Sequence, residues 1–181
     1  MNDDLIMKKI VILSFLIAAF CAPALHARQS LGFKKGYTSS VELRAMAVAD
    51  SDRKGHFMFV ETVHGYAFGD GLFLGGGTGL GYSFTTSDFL LPLYAKGKYN
   101  FSDRPVSPFV GVELGMGIGL SQKDLSFMVS PSFGLDIRRF SVEFSYMFHE
   151  GKNWGPAGKP GSNWASYYKL NSLNISVGYW F

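Results

Sequence analysis

Residues 172–181 alternate with a period of two. Leu173, Ile175, Val177, Tyr179 and Phe181 fall on one face; Ser172, Asn174, Ser176, Gly178 and Trp180 fall on the other. Successive side chains of a strand point to opposite sides, so this pattern predicts a strand with one oily face and one largely polar face. It stops on an aromatic residue, Phe181, which a soluble domain gains little by exposing.

The same alternation recurs upstream, in segments predicted at 36–49, 56–67, 71–84, 88–101, 108–121, 124–138 and 139–149. With the terminal segment this makes eight, each long enough to cross a bilayer as a tilted strand of about 9–11 residues. The third sets Leu72, Leu74, Thr78, Leu80 and Tyr82 against Gly75, Gly77, Gly79, Gly81 and Ser83. The fifth sets Val110, Val112, Leu114, Met116 and Ile118 against Gly111, Glu113, Gly115, Gly117 and Gly119. The second is the weakest: the parity that turns Met58, Val60, Thr62 and Tyr66 outward sends Glu61 inward. We take that parity, because the other places a charge against lipid, and expect a bulge or local irregularity there.

A soluble sandwich or lipocalin-like barrel would turn the apolar face inward and leave polar groups in water. Two features decide against it. The non-apolar faces are rich in glycine, in a chain with 22 glycines and 16% aromatic residues. They also carry both signs of charge, at Glu42, Arg44, Lys96, Lys98, Glu113, Asp136 and Glu143. Glycine suits a cramped interior, and charges held there must pair with one another. These seven residues are the expected polar network of a narrow lumen.

The chain opens with Lys8 and Lys9, an apolar stretch over 10–25 and a small-residue exit at Ala27. This is the pattern of a cleavable signal peptide over 1–27, leaving 28–181 as the mature domain; Ala24 is the competing cleavage site. Cys21, the one cysteine, lies in the part to be removed, and the bulky Phe20 before it fits lipidation badly. The mature chain therefore has no thiol for a disulfide, a cysteine metal site or a cysteine nucleophile. The net charge of +3 is mild and unclustered, which argues against nucleic acid as a partner. No apolar run after the signal is long enough for a membrane helix, so a membrane-spanning form must be a closed barrel.

Aromatic residues mark two belts on the outward faces. Tyr37, Tyr99, Phe101, Phe140, Tyr179 and Phe181 fall at the end nearest the termini. Tyr82, Phe84, Phe89, Tyr146 and Phe148 fall at the other. Amphipathic rings favour the two membrane interfaces. Turns are expected at 68–70, 102–105 and 138–139 on the terminal side, with loops at 50–55, 85–88, 121–124 and 150–169 opposite.

The stretches His64-Gly65-Tyr66, Leu74-Gly75-Gly76-Gly77 and Ser107-Pro108-Phe109-Val110, with the Phe181 ending, resemble the small outer-membrane β-barrel proteins (OmpA/OmpX-like, porin-like). The resemblance implies an all-β, eight-stranded, antiparallel up-and-down transmembrane barrel in a Gram-negative-type outer membrane. It implies insertion by the barrel-assembly machinery and contact with outer-membrane lipid and lipopolysaccharide, and it carries no shared reaction. A monomer is expected, with no catalytic residue, cofactor or metal.

Three activities compete. Small barrels of this size include lipid A-modifying enzymes that pair a lipid-facing His and Ser two apart. Around His149 the positions two away are Met147 and Gly151, and neither is a nucleophile. A channel is disfavoured because eight strands enclose little more than their own side chains. Surface binding would use the loop over 150–169, where Trp154, Trp164, Tyr167 and Tyr168 stand among Lys152, Lys159 and Lys169.

Overall fold

The computed structural model describes residues 33–48, 55–84, 89–120, 125–153 and 166–181. The strands are β1 Gly36–Val48, β2 His56–Ala67, β3 Leu72–Ser83, β4 Phe89–Asn100, β5 Val106–Gly119, β6 Leu125–Ile137, β7 Phe140–Asn153 and β8 Ser166–Trp180. Each pairs antiparallel with its neighbour in sequence, and β1 pairs with β8 to close the barrel. Closure leaves no sheet edge, which is the condition for crossing lipid as strands. No helix of the described residues is long and apolar enough to cross a membrane.

Burial follows the two-residue period and is inverted relative to a water-soluble protein. Leu43, Val60, Leu74, Leu93, Leu114, Phe133 and Ile175 are exposed on the outside, whereas Glu42, Arg44, Lys96 and Glu113 are each 2% exposed or less. Aromatic contacts cluster at both rims. Phe140, Tyr179 and Phe181 touch in sequence near the chain terminus, as do Tyr99 and Phe101. Tyr82 meets Phe84 and Phe89 at the opposite rim, where Tyr146 also meets Phe148.

Three expectations need correction. β2 is regular: its register runs unbroken from Gly36↔Ala67 to Ala47↔His56 on one side and from Phe57↔Ser83 to Ala67↔Phe73 on the other. Glu61 faces the lumen and meets Arg44 at 3.1 Å, so an ordinary strand accommodates it. The irregularities fall instead at prolines. The β3–β4 ladder skips the positions around Pro92, and the β6–β7 ladder skips those around Pro131, because proline has no N–H to donate.

The expected loop over 150–169 is also shorter. β7 continues to Asn153 and β8 begins at Ser166, in a register that pairs Glu150 with Lys169 and Gly151 with Tyr168. Opposite charges at Glu150 and Lys169 lie 3.8 Å apart on this extension. Finally, β5 begins at Val106, two residues before its expected start. The signal peptide over 1–27, with Cys21, lies outside the described residues, as do Trp154 and Trp164.

Candidate functional site in the barrel lumen

The lumen is built in three layers, stacked along the barrel axis from the terminal side. The lowest centres on Lys98. Its Nζ lies 2.6 Å from Oδ1 of Asp136, whose Oδ2 accepts a 2.6 Å hydrogen bond from Asn100 Nδ2. The same ammonium sits 3.9 Å from the ring centroid of Phe109 and 4.8 Å from that of Trp180, within cation–π range. Trp180 Nε1 donates to Ser141 Oγ at 3.2 Å and packs edge-on against Phe73. Trp180 is inward although it belongs to an aromatic terminus, because its even parity on β8 decides its face.

The middle layer is ionic. Nζ of Lys96 approaches Glu42 Oε2 at 3.1 Å, Glu113 Oε1 at 3.1 Å and Glu143 Oε2 at 2.9 Å. Oxygens of these three carboxylates also lie within 4.8 Å of one another. The ammonium of Lys96 already contacts all three, so their proximity is that of an ion-pair cluster. Arg44 reaches across the lumen: its Nη2 donates to Glu113 Oε1 at 2.8 Å and lies 3.1 Å from Glu61 Oε2. Tyr94 closes the layer, with its hydroxyl 3.4 Å from Glu61 Oε2 and its ring 5.6 Å from the Arg44 guanidinium. Charges removed from water at this depth are tolerable only through such mutual contacts.

In the upper layer, toward the end opposite the termini, Met46, Phe59, Met128 and Met147 are buried with Leu90 and Phe57 against them, as part of an apolar cluster that continues down the lumen through Tyr94, Val63, Phe73 and Trp180. Ser126, His149, Ser172 and Asn174 are buried beside them. A cavity of about 10 Å³ lies between this layer and the ionic one, lined by Arg44, Glu61, Met128, Met147 and His149 among others. That is room for about one water molecule.

All seven residues named for the lumen are buried inside the barrel, and the structure joins them into two groups: Glu42, Arg44, Lys96, Glu113 and Glu143 in the middle, Lys98 and Asp136 below. Glu61 and Tyr94 complete the middle group. Both carried the inward parity of their strands, which was the signal that could have included them. Of the proposed surface-binding residues, Tyr167 and Tyr168 belong to β8 and not to a loop.

A second polar arrangement lies on the outside. Tyr37 Oη and His64 Nδ1 are 2.7 Å apart, and Thr62 Oγ1 and His64 Nε2 are 2.9 Å apart. All three project from β1 and β2, with Tyr37 near the terminal rim, where it pairs with Tyr66, and Thr62 at mid-strand, where it pairs with Val41. Thr62 has the two-residue spacing from His64 that no hydroxyl has from His149.

No family model matches the chain, and no curated protein matches it. Solved structures do. It is similar to Neisserial surface protein A (NspA), with TM-score 0.56 and 15% identity over 81% of this chain and 97% of that one. It is similar as well to the outer membrane enzyme PagL, with TM-score 0.55 and 13% identity over 77% of this chain and 98% of that one. At these identities the likeness is one of fold, and that fold is the small eight-stranded outer-membrane β-barrel.

Proposed function

We propose that this chain, an outer-membrane β-barrel by fold, serves a structural or surface-interaction role at the cell envelope and catalyses no reaction. The observation that carries this reading is the filled lumen. Lys96 is held by three carboxylates, Arg44 bridges to two, and the cavity above them measures about 10 Å³. Among the described residues, such a mid-barrel interior offers solutes no open path. In this reading the protein inserts through the barrel-assembly machinery as a monomer, its outward face meets lipid and lipopolysaccharide, and any partner is met at the loop end. Planar-bilayer recordings and mass profiles of membrane lipids test it together. Silent bilayers and lipid profiles unchanged by the protein's presence are expected; steady conductance or an altered acyl pattern would contradict it.

One observation favours a second reading, a lipid-modifying barrel enzyme. Thr62, His64 and Tyr37 present a hydroxyl, an imidazole and a phenol in hydrogen-bond contact on the lipid side. A hydroxyl beside an imidazole that a third group orients is the arrangement of an activated nucleophile. Under this reading Thr62→Ala and His64→Ala each abolish a change in lipid profile that the unmodified protein produces. Under the first, no such change exists to abolish.

A further inference from the structure

We infer that the upper lumen holds a binding site for one soft monovalent metal ion, Cu(I) or Ag(I), ligated by Met128, Met147 and His149. Met147 and His149 stand two apart on β7 and therefore share its inner face. Met128 lies directly opposite His149 in the β6–β7 register. The three side chains are buried, at 2%, 3% and 8% exposure, and they line the same cavity of about 10 Å³. A void of that size accommodates a single water-sized occupant.

The donor chemistry is specific. Nε2 of His149 lies against Sδ of Met147, and among the described residues the imidazole has no other hydrogen-bond contact. A thioether is a weak acceptor and does little to satisfy a buried ring nitrogen. The same two atoms, with Met128 opposite in the register, offer donors of the kind that soft ions prefer. Thioether and imidazole suit Cu(I), whereas carboxylate and water suit the hard divalent ions.

The lumen as a whole carries more formal negative than positive charge. Among the described residues, five buried carboxylates (Glu42, Glu61, Glu113, Asp136, Glu143) face three buried cations (Arg44, Lys96, Lys98). Glu61 lines the cavity itself, beside Arg44. The guanidinium of Arg44 opposes a cation there, but it is already engaged by Glu61 and Glu113. His149 sits in the half of β7 away from the Arg138–Arg139 turn, so an ion arrives from the loop end.

The test uses protein extracted from membranes into detergent, titrated by calorimetry with Ag(I), which stays monovalent without a reductant. One ion per chain is expected, with affinity lowered about tenfold or more in Met147→Leu and in Met128→Leu. Met58→Leu, on the lipid face, should leave it unchanged. Each variant must first show the heat-modifiable gel migration of the unmodified protein. A readout on the unmodified protein needs no variant: the Met128 and Met147 methyl resonances should move on Ag(I) addition while that of Met58 stays in place. Absence of saturable uptake, equal uptake by a Met128→Leu/Met147→Leu double variant, unmoved Met128 and Met147 resonances, or displacement of Ag(I) by equimolar Zn(II) would each overturn the site.

Discussion

Lys96 and Glu113 sit directly opposite each other on β4 and β5 and form a 3.1 Å ion pair inside the barrel. The pair ties a local strand register to a cluster that spans the lumen, because the same ammonium also meets Glu42 on β1 and Glu143 on β7. Losing it leaves three carboxylates facing one another without their common cation. Lys96→Met should therefore destabilise the folded barrel by about 3–5 kcal/mol, read as a shift in urea unfolding in lipid bilayers. The exposed pair of Glu150 and Lys169, 3.8 Å apart, gives the contrast. Glu150→Gln should cost about 0–1 kcal/mol, since water screens that pair already.

Gly81 makes room for Phe59. A Cβ added at Gly81 would stand 2.2 Å from Cε1 of that ring, inside the lumen where the ring has packed neighbours. Gly81→Ala should cost about 1–3 kcal/mol through overpacking. Adding Phe59→Leu to the same chain should recover part of the loss. Equilibrium unfolding of the two single variants and the double variant checks both statements, and additivity would contradict the steric account.

Charge on the outer face should be punished according to depth. Leu114 lies near the middle of β5 and is 48% exposed. Leu114→Arg should cost about 2–4 kcal/mol in a bilayer, whereas Phe101→Arg at the rim should cost about 0–1 kcal/mol. Unfolding in vesicles of both variants measures the gradient.

Arg138 holds φ at +59° in the tight turn between β6 and β7, a region that L-residues occupy at a cost. Arg138→Gly relieves that strain and should stabilise the hairpin by about 0.5–1 kcal/mol, after the added freedom of glycine in the unfolded chain is subtracted. A raised urea midpoint is the expected result; an unchanged or lowered one would show that the side chain holds the turn.

Much of this fold was legible because a strand writes both its faces into the sequence. Residues Glu42 and Arg44, or Lys96 and Lys98, declare their side by parity alone, and closure follows from the need to hide every edge. Which charges meet was not legible. Arg44 and Glu113 lie 69 residues apart, on strands that only the completed barrel brings face to face. Met46, Met128 and Met147 hold inward positions among serines and charges, so an apolar type alone does not tell a residue's face here. The end of β7 falls later and the start of β8 earlier than the sequence suggests, because glycine, proline and tryptophan in 151–165 mask an alternation that continues on both flanks. The bulge expected in β2 did not appear because Arg44, from the neighbouring strand, supplies Glu61 with a partner.

The central claim is that the oily rows face acyl chains while the charged rows are enclosed. Single spin labels at Val110, Val112, Leu114 and Met116 of β5, compared with labels at the inward Ser130 and Ser132 of β6, measure it most directly in a bilayer, with Cys21 replaced where the precursor is used. The account predicts high collision rates with dissolved oxygen and low rates with a water-soluble nickel chelate at the four outward sites, with oxygen access falling at the inward ones. High nickel access at Val112 and Leu114 would contradict it, because those side chains would then lie in water.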